Sequence, residues 1–259
     1  MKKEFSKDKL KVKIFNSRTD MGVAAATDIG RKIEELQKEK DEINIIFAAA
    51  PSQNEVLENL IKYDGIDWNR INAFHMDEYI GLTETAPQRF GNFLKTHIFG
   101  LVPFKNIYYI DGGAEDIEAE CKRYTKLLED NPVDIVCLGI GENGHIAFND
   151  PPVADFNDTF AIKRVKLDDI CRQQQVNDGC FSSLESVPTD ALTLTIPSLM
   201  KGKHLFCSVP AITKADAVKA MIEDDISIAC PCTILRKHEN AVLYCDSDSS
   251  SKLINNDRR

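Results

Sequence analysis

The stretch from Val133 to Pro152, VDIVCLGIGENGHIAFNDPP, places several reactive side chains close together. Three glycines, Gly139, Gly141 and Gly144, fall within six residues, and His145, Asn149 and Asp150 follow directly. Each residue type has a use. Glycine lets backbone N–H groups approach a ligand or adopt a positive φ. Histidine exchanges a proton near neutral pH, and a nearby carboxylate orients it. The alternative is a plain turn with a surface histidine, and a lone G-x-G would fit that equally well. Glycines, histidine and acid compressed into one turn after a buried apolar run, Ile135 to Leu138, favour a proton-transfer site.

Three further stretches could supply chemistry. Asp77-Glu78-Tyr79 follows INAFHM and precedes a turn at Gly81. Paired acids in such places are more often caps or solvated groups than catalysts. Ser52, with Glu55 three residues on, follows INIIFAAA and reads as a capping box. The N-terminus of a helix is a ready anion site, although most capping boxes only cap. Lys214 falls in the first turn of a helical pattern over Thr213 to Glu223. A cation there opposes the helix dipole, so binding a phosphate is worth considering as its task.

The elements that position these residues alternate. Strand patterns are read at Leu10–Phe15, Ile43–Ala50, Ile71–Met76, Asn106–Ile110, Ile135–Leu138, Ala161–Val165, Ala191–Ile196, His204–Val209 and Ala241–Asp246. Helical patterns are read at Thr19–Lys40, after Ser52, at Gln88–His97, at Ala114–Leu128 and at Thr213–Glu223. Asp168 to Asp178, rich in glutamine, reads as a loop or surface helix able to cover a site, and Asp246 to Arg259 as a loose tail. Alternation without a linker or repeat predicts one α/β domain over residues 1–259, a three-layer α/β/α fold around a mostly parallel, Rossmann-like sheet. Parallel strands end on a common edge, so Ser52, Asp77 and the Gly139–Asp150 turn are expected to converge on one pocket.

Composition narrows the partners. A net charge of −9 argues against nucleic acid or an anionic membrane, without excluding an anionic small molecule. No run approaches the roughly 20 apolar residues that span a bilayer. The basic N-terminus, MKKEFSKDKLKVKIF, lacks the apolar core of a secretory signal. The eight cysteines are scattered, several in strand-like runs, as expected of free thiols in a reducing cytoplasm. Cys230-Pro231-Cys232 has neither a second cysteine pair nor a nearby histidine, so no metal is expected there; a redox role is an open alternative.

Leu138 to Pro151 (LGIGENGHIAFNDP) and His75 to Leu82 (HMDEYIGL) resemble the two signature stretches of the glucosamine-6-phosphate deaminase family, also called isomerase. The wider superfamily includes 6-phosphogluconolactonase. The likeness runs from the first strand to the YCDSDSS stretch. It implies conversion of glucosamine 6-phosphate and water to fructose 6-phosphate and ammonia without a cofactor, in the cytoplasm, by a homo-oligomer. Asp77 matches the base that moves a proton between C2 and C1. His145 matches the histidine that assists ring opening, and Asp150 replaces the glutamate that orients it. Asp150 is one methylene shorter, so a longer or water-mediated contact is expected. Asn143 stands where members carry aspartate or asparagine, and Lys214 matches a phosphate-binding lysine. Gly141 and Gly144 of the first signature are expected, with Ser52, Gln53, Lys214 and Arg172, among the residues that bind the substrate and its phosphate.

Two departures fall in the phosphate half. Where the family reads approximately T-G-G-T-P, this chain has Ala49-Ala50-Pro51-Ser52-Gln53, so Ser52 and the N–H groups near Gln53 must serve in place of glycine donors. A clamp arginine is also missing: Arg172 matches the first arginine of that stretch, and nothing cationic matches the second. The alternatives are a hydrolase of the 6-phosphogluconolactonase kind, another amino sugar or sugar phosphate as substrate, and a non-catalytic sugar-phosphate sensor.

Overall fold

The computed structural model describes residues 1–177 and 179–253. In chain order these form β1 (Lys3–Lys7), β2 (Leu10–Ile14), α1 (Arg18–Glu39), β3 (Ile43–Phe47), α2 (Asn54–Leu60), β4 (Ile71–His75) and β5 (Asp77–Tyr79). There follow α3 (Phe90–Leu94), β6 (Asn106–Tyr108), α4 (Ile117–Asp130), β7 (Ile135–Leu138), β8 (Ile162–Lys166) and α5 (Asp169–Asn177). The last elements are β9 (Asp190–Leu194), α6 (Ile196–Met200), β10 (His204–Val209), α7 (Ala215–Glu223) and β11 (Ala241–Cys245).

Eight strands make the main sheet in the order β1-β2-β11-β10-β7-β3-β4-β6, all parallel except the β1–β2 pair. Side chains alternate across it. In β3, Ile43, Ile45 and Phe47 enter one apolar core and Ile46 the other; in β7, Ile135 and Cys137 oppose Val136 and Leu138. A strand buried on both faces needs the continuous apolar runs seen in the sequence. Met21, Ala25, Ile29 and Ile33 of α1, with Val56 and Leu60 of α2, cover the first face. Tyr124 of α4, Leu199 of α6 and Val218 and Met221 of α7 cover the second. The α/β class with a mostly parallel sheet and helices on both faces is therefore as expected. From β3 the chain runs outward to β4; from β7 it goes the other way to β10. The β3–β7 junction is thus a topological switch point, where open sheets of this kind hold ligands.

The structure departs from the sequence reading in four places. Asp77–Tyr79, read only as residues following the strand, forms a strand of its own: it pairs antiparallel with β9, which pairs with β8, to form a second sheet of three strands. The Ser52–Glu55 capping box does not form. The N-cap of α2 is Gln53, without a side-chain cap, and Glu55 pairs with Arg18 instead. The helix expected over Gln88–His97 is the short α3 continued by a π turn over Lys95–Phe99. The segment after Asp246 is not loose as far as Leu253. Asp246 and Ser249 are buried, and Asp246 accepts hydrogen bonds from the N–H groups of Ser249 and Ala211. Residues 254–259 of that expected tail, and Asp178 of the glutamine-rich stretch, lie outside the described residues.

Candidate active site

Four loops at the C-terminal edge of β3, β4, β7 and β10 enclose one pocket. Its walls include Ser52 and Gln53, Asp77, Gly139 and His145, and Lys214. The convergence predicted from parallel strands is observed. Gly141 and Gly144, expected among the substrate-binding residues, are not among the residues that line it.

Asp77 is held by β5, whose register sets Asp77 opposite Thr193 of β9. Its carboxyl is buried, and burial first, then the neighbouring Glu78 charge, pushes its pKa well above the usual carboxylate range. Among the described residues nothing donates a hydrogen bond to that carboxylate. Glu78 points away and is otherwise engaged. It accepts from the N–H groups of Tyr79, Phe90 and Gly91 at 2.9–3.0 Å. Burial still raises it to about 7 against those bonds. Of the two adjacent acids, only Asp77 offers a bare carboxylate to the pocket.

His145 rests on a tight turn. Gly141 N–H donates to the His145 carbonyl at 2.9 Å, and a Cβ on Gly141 would lie 2.1 Å from the imidazole Cε1. Only glycine leaves room for the ring. Gly144 has φ +80° and packs against the Cys230 and Cys232 sulfurs. His145 Nδ1 lies 2.9 Å from Asp150 Oδ1. The contact is direct despite the shorter side chain, correcting the expected longer or water-mediated one. It is not aligned as a hydrogen bond, because Nδ1 has no partner in good geometry. Asn143 ties the two ends of the turn: its Nδ2 donates to Asp150 Oδ1 at 2.8 Å and its Oδ1 accepts from the His145 N–H at 3.0 Å. Burial alone would raise Asp150, but His145, the Asn143 amide and the Cys171 thiol together hold it below the ordinary carboxylate range. The ligand atoms of His145, Asp150 and Cys171 lie within 4.8 Å of one another and could hold a metal ion. The same closeness follows from one carboxylate serving both neighbours.

The pocket lining also carries basic residues. Lys214 is buried at the N-cap of α7, and Ser52 and Gln53 line the same pocket, with Gln53 Nε2 donating to the Ser208 carbonyl at 3.2 Å. The loop carrying Lys214 turns at Ala211, a non-glycine residue at φ +81°, whose N–H is held by Asp246. Ala147, at φ +51°, is also in the wall. Backbone strain of this kind costs about 1–3 kcal/mol and concentrates at functional sites.

Arg172 is not part of this constellation. Its guanidinium donates to the carbonyls of Leu184 and Val187 and pairs with Asp169, pinning α5 to the following loop. Its neighbours Gln174 and Gln175 do line the pocket, so the glutamine-rich stretch forms a helix over the site, with Gln174 Oε1 accepting from the Glu142 N–H. Sequence reasoning passed over Arg18, the first residue of α1, which also lines the pocket. The signal that singled out Lys214, a cation in the first turn after a strand, applies equally to Arg18 after β2.

A family model described as glucosamine-6-phosphate isomerases/6-phosphogluconolactonase matches residues 16–244. The chain is 36% identical over 225 residues to a glucosamine-6-phosphate deaminase of Bacillus cereus (strain G9842), covering 86% of this chain and 84% of that protein. It is 37% identical over 219 residues to the protein of that description from Bacillus thuringiensis (strain Al Hakam), with coverages of 85% and 81%. Among solved structures, a monomeric glucosamine-6-phosphate deaminase superposes with a TM-score of 0.84 at 27% identity, over 93% of this chain and 98% of that one. A 6-phosphogluconolactonase from Thermotoga maritima gives 0.74 at 21% identity, over 92% and 100%, and bears on the fold alone.

Proposed function

The chain belongs to the family of glucosamine-6-phosphate isomerases and 6-phosphogluconolactonases, and from that premise we propose that it converts glucosamine 6-phosphate and water to fructose 6-phosphate and ammonia. One observation carries the reading. A buried, otherwise unbonded Asp77 carboxylate and the His145 imidazole share a pocket that the Lys214 cation also lines.

The chemistry divides between them. His145, with Nδ1 turned to Asp150, presents its other nitrogen to substrate, where it removes the proton of the anomeric hydroxyl and returns one to the ring oxygen, opening the pyranose. Asp77 then takes the proton from C2 of the open-chain sugar, leaving a 2-amino-enolate, and delivers it to C1, while a proton passes from the C2 nitrogen to O1. The resulting C2 imine adds water and loses ammonia to give the ketose. A carboxylate of raised pKa is a stronger base than a solvated one, which suits abstraction from carbon. Asn143 and Asp150 position the histidine. Lys214, Ser52 and Gln53 are assigned to the phosphate, with Gly141 and Gly144 shaping the turn. These roles need no cofactor.

Simultaneous detection of ammonia and fructose 6-phosphate tests the proposal. Equal yields from glucosamine 6-phosphate support it. Turnover of galactosamine 6-phosphate alone would move the substrate, and acid release from 6-phosphogluconolactone without ammonia would replace the reaction by hydrolysis. The family resemblance suggests a homo-oligomer, whereas the structural relative is described as monomeric. Light scattering of the purified chain decides between them. No helix among the described residues is long and apolar enough to cross a membrane.

A further inference from the structure

Arg18 and Lys214 share an unusual placement. Arg18 opens the 22-residue α1 and Lys214 caps the nine-residue α7, so each cation sits where its helix dipole repels it. Both line the same pocket. Two cations at helix starts that line one cavity suit an anion between them.

Arg18 is also held in place. Its Nε donates to Glu55 Oε1 at 2.6 Å, and Nη2 donates to the Pro51 carbonyl. Nη1 has no hydrogen bond among the described residues, and it lies on the fork that a phosphate oxygen can share with Nη2. Glu55 caps nothing. Its second oxygen, Oε2, is buried without a partner, so this carboxylate is committed to the arginine. The two helices meet closely enough for this, since a Cβ on Gly22 of α1 would lie 2.4 Å from the Glu55 Cβ. Pro51 has no N–H and turns its carbonyl toward the guanidinium, so the turn after β3 offers fewer donors than a glycine loop would. Arg18 supplies donors at that point.

We propose that Arg18, positioned by Glu55 and the Pro51 carbonyl, is the second cationic ligand of the substrate phosphate, taking the part of the arginine absent from the glutamine-rich stretch. The assignment rests on the sugar-phosphate reading above. It makes the phosphate end a two-cation clamp reached from α1 and α7, on opposite faces of the sheet.

The test is the effect of Arg18→Gln, Arg18→Lys and Glu55→Gln on the KM for glucosamine 6-phosphate and on competitive inhibition by inorganic phosphate. Arg18→Gln should raise both constants by roughly 10- to 100-fold, as expected for losing hydrogen bonds to a charged group, with kcat within about threefold. Arg18→Lys should recover part of the loss, a point charge replacing a planar fork. Glu55→Gln should fall between Arg18→Gln and the parent. Unchanged KM and phosphate inhibition in Arg18→Gln, or a fall in kcat alone, overturns the proposal. Should the parent release no ammonia, the functional reading fails, but calorimetric titration with inorganic phosphate still judges Arg18. Binding lost in Arg18→Gln and partly kept in the more conservative Arg18→Lys supports the clamp. Equal binding by parent and Arg18→Gln, or none by the parent, overturns it.

Discussion

The main-chain carbonyl of Asp77 accepts a hydrogen bond from His75 Nδ1 at 2.9 Å, and the opposite ring nitrogen, Nε2, accepts one from the Ile110 N–H at 2.9 Å. The second bond fixes Nε2 as an acceptor, so the ring is neutral with its proton on Nδ1. His75 is fully buried, and burial lowers its pKa from 6.5 to about 4 despite the bond to Asp77. The imidazole therefore supports the strand that presents the base while adding no charge beside it.

This has a consequence for acid stability. Between pH 6.5 and about 4 the unfolded chain binds a proton at His75 that the folded chain refuses, so stability falls as pH drops through that window. Glu78 works in the opposite direction. Its folded value of about 7 lies above its ordinary 4.5, so its contribution falls as pH rises from 4.5 to 7. The two slopes partly cancel in the parent. His75→Gln removes one of them, so its stability, measured by urea unfolding at a series of pH values, should increase on acidification from pH 7 to 5 relative to the parent. Parallel pH dependences would exclude this balance.

Asp77→Asn should reduce turnover by at least about 10³-fold, since no other carboxylate faces the pocket from that strand. The same change should raise the Tm above neutral pH, because it removes a charge whose burial is unfavourable. Retained binding of substrate by the variant, with loss of turnover, separates the role of base from that of ligand. The acid limb of the parent's kcat profile should lie above the ordinary carboxylate range, and a limb near pH 4 would count against Asp77.

Asp150→Asn keeps the volume beside His145 and removes the charge that draws Nδ1 to 2.9 Å. Ring opening should slow by roughly 100-fold, the usual reach of a general acid–base group. Substrate supplied already open, or one that opens rapidly in solution, should be affected less. Equal losses on both kinds of substrate would assign Asp150 to a later step.

Much of this site was legible because its parts lie close together in sequence. Gly139 to Asp150 is one turn, and strands such as Ile43–Phe47 and His204–Val209 carry apolar runs that only a sheet covered on both faces explains. What escaped depended on distant pairing. Asp77–Tyr79 reads as a segment after the strand that ends at Met76, and only pairing with β9, more than a hundred residues on, makes it a strand. Glu55 satisfies a capping pattern locally, yet Arg18 draws it away across α1. Arg172 matches a family arginine by type, while its Nη2 donates to the Leu184 and Val187 carbonyls.

Lys214→Ala should raise the KM for glucosamine 6-phosphate with little change in kcat, because the ammonium is placed at the phosphate end and not at C1 or C2. An exposed charge pair would contribute little, but Lys214 is 6% exposed, and a charge-assisted contact there is worth about 1.5–3 kcal/mol. An unchanged KM would remove Lys214 from the clamp.

Gly144→Ala probes the turn itself. At φ +80° a side chain is strained, and the new Cβ would meet Cys230 Sγ at 2.5 Å and Cys232 Sγ at 3.2 Å. The backbone strain alone costs about 1–3 kcal/mol. The sulfur contact adds to it and pushes on His145, the next residue. The variant should therefore lose stability and kcat together. Adding Cys230→Ala removes the closer sulfur but not the strained φ, so the double variant should recover part of the Tm and most of the kcat. If Gly144→Ala lowers Tm while leaving kcat intact, the turn tolerates displacement without moving the imidazole. Failure of Cys230→Ala to restore anything would mean that the backbone angle, and not the sulfur, is what requires glycine at this position.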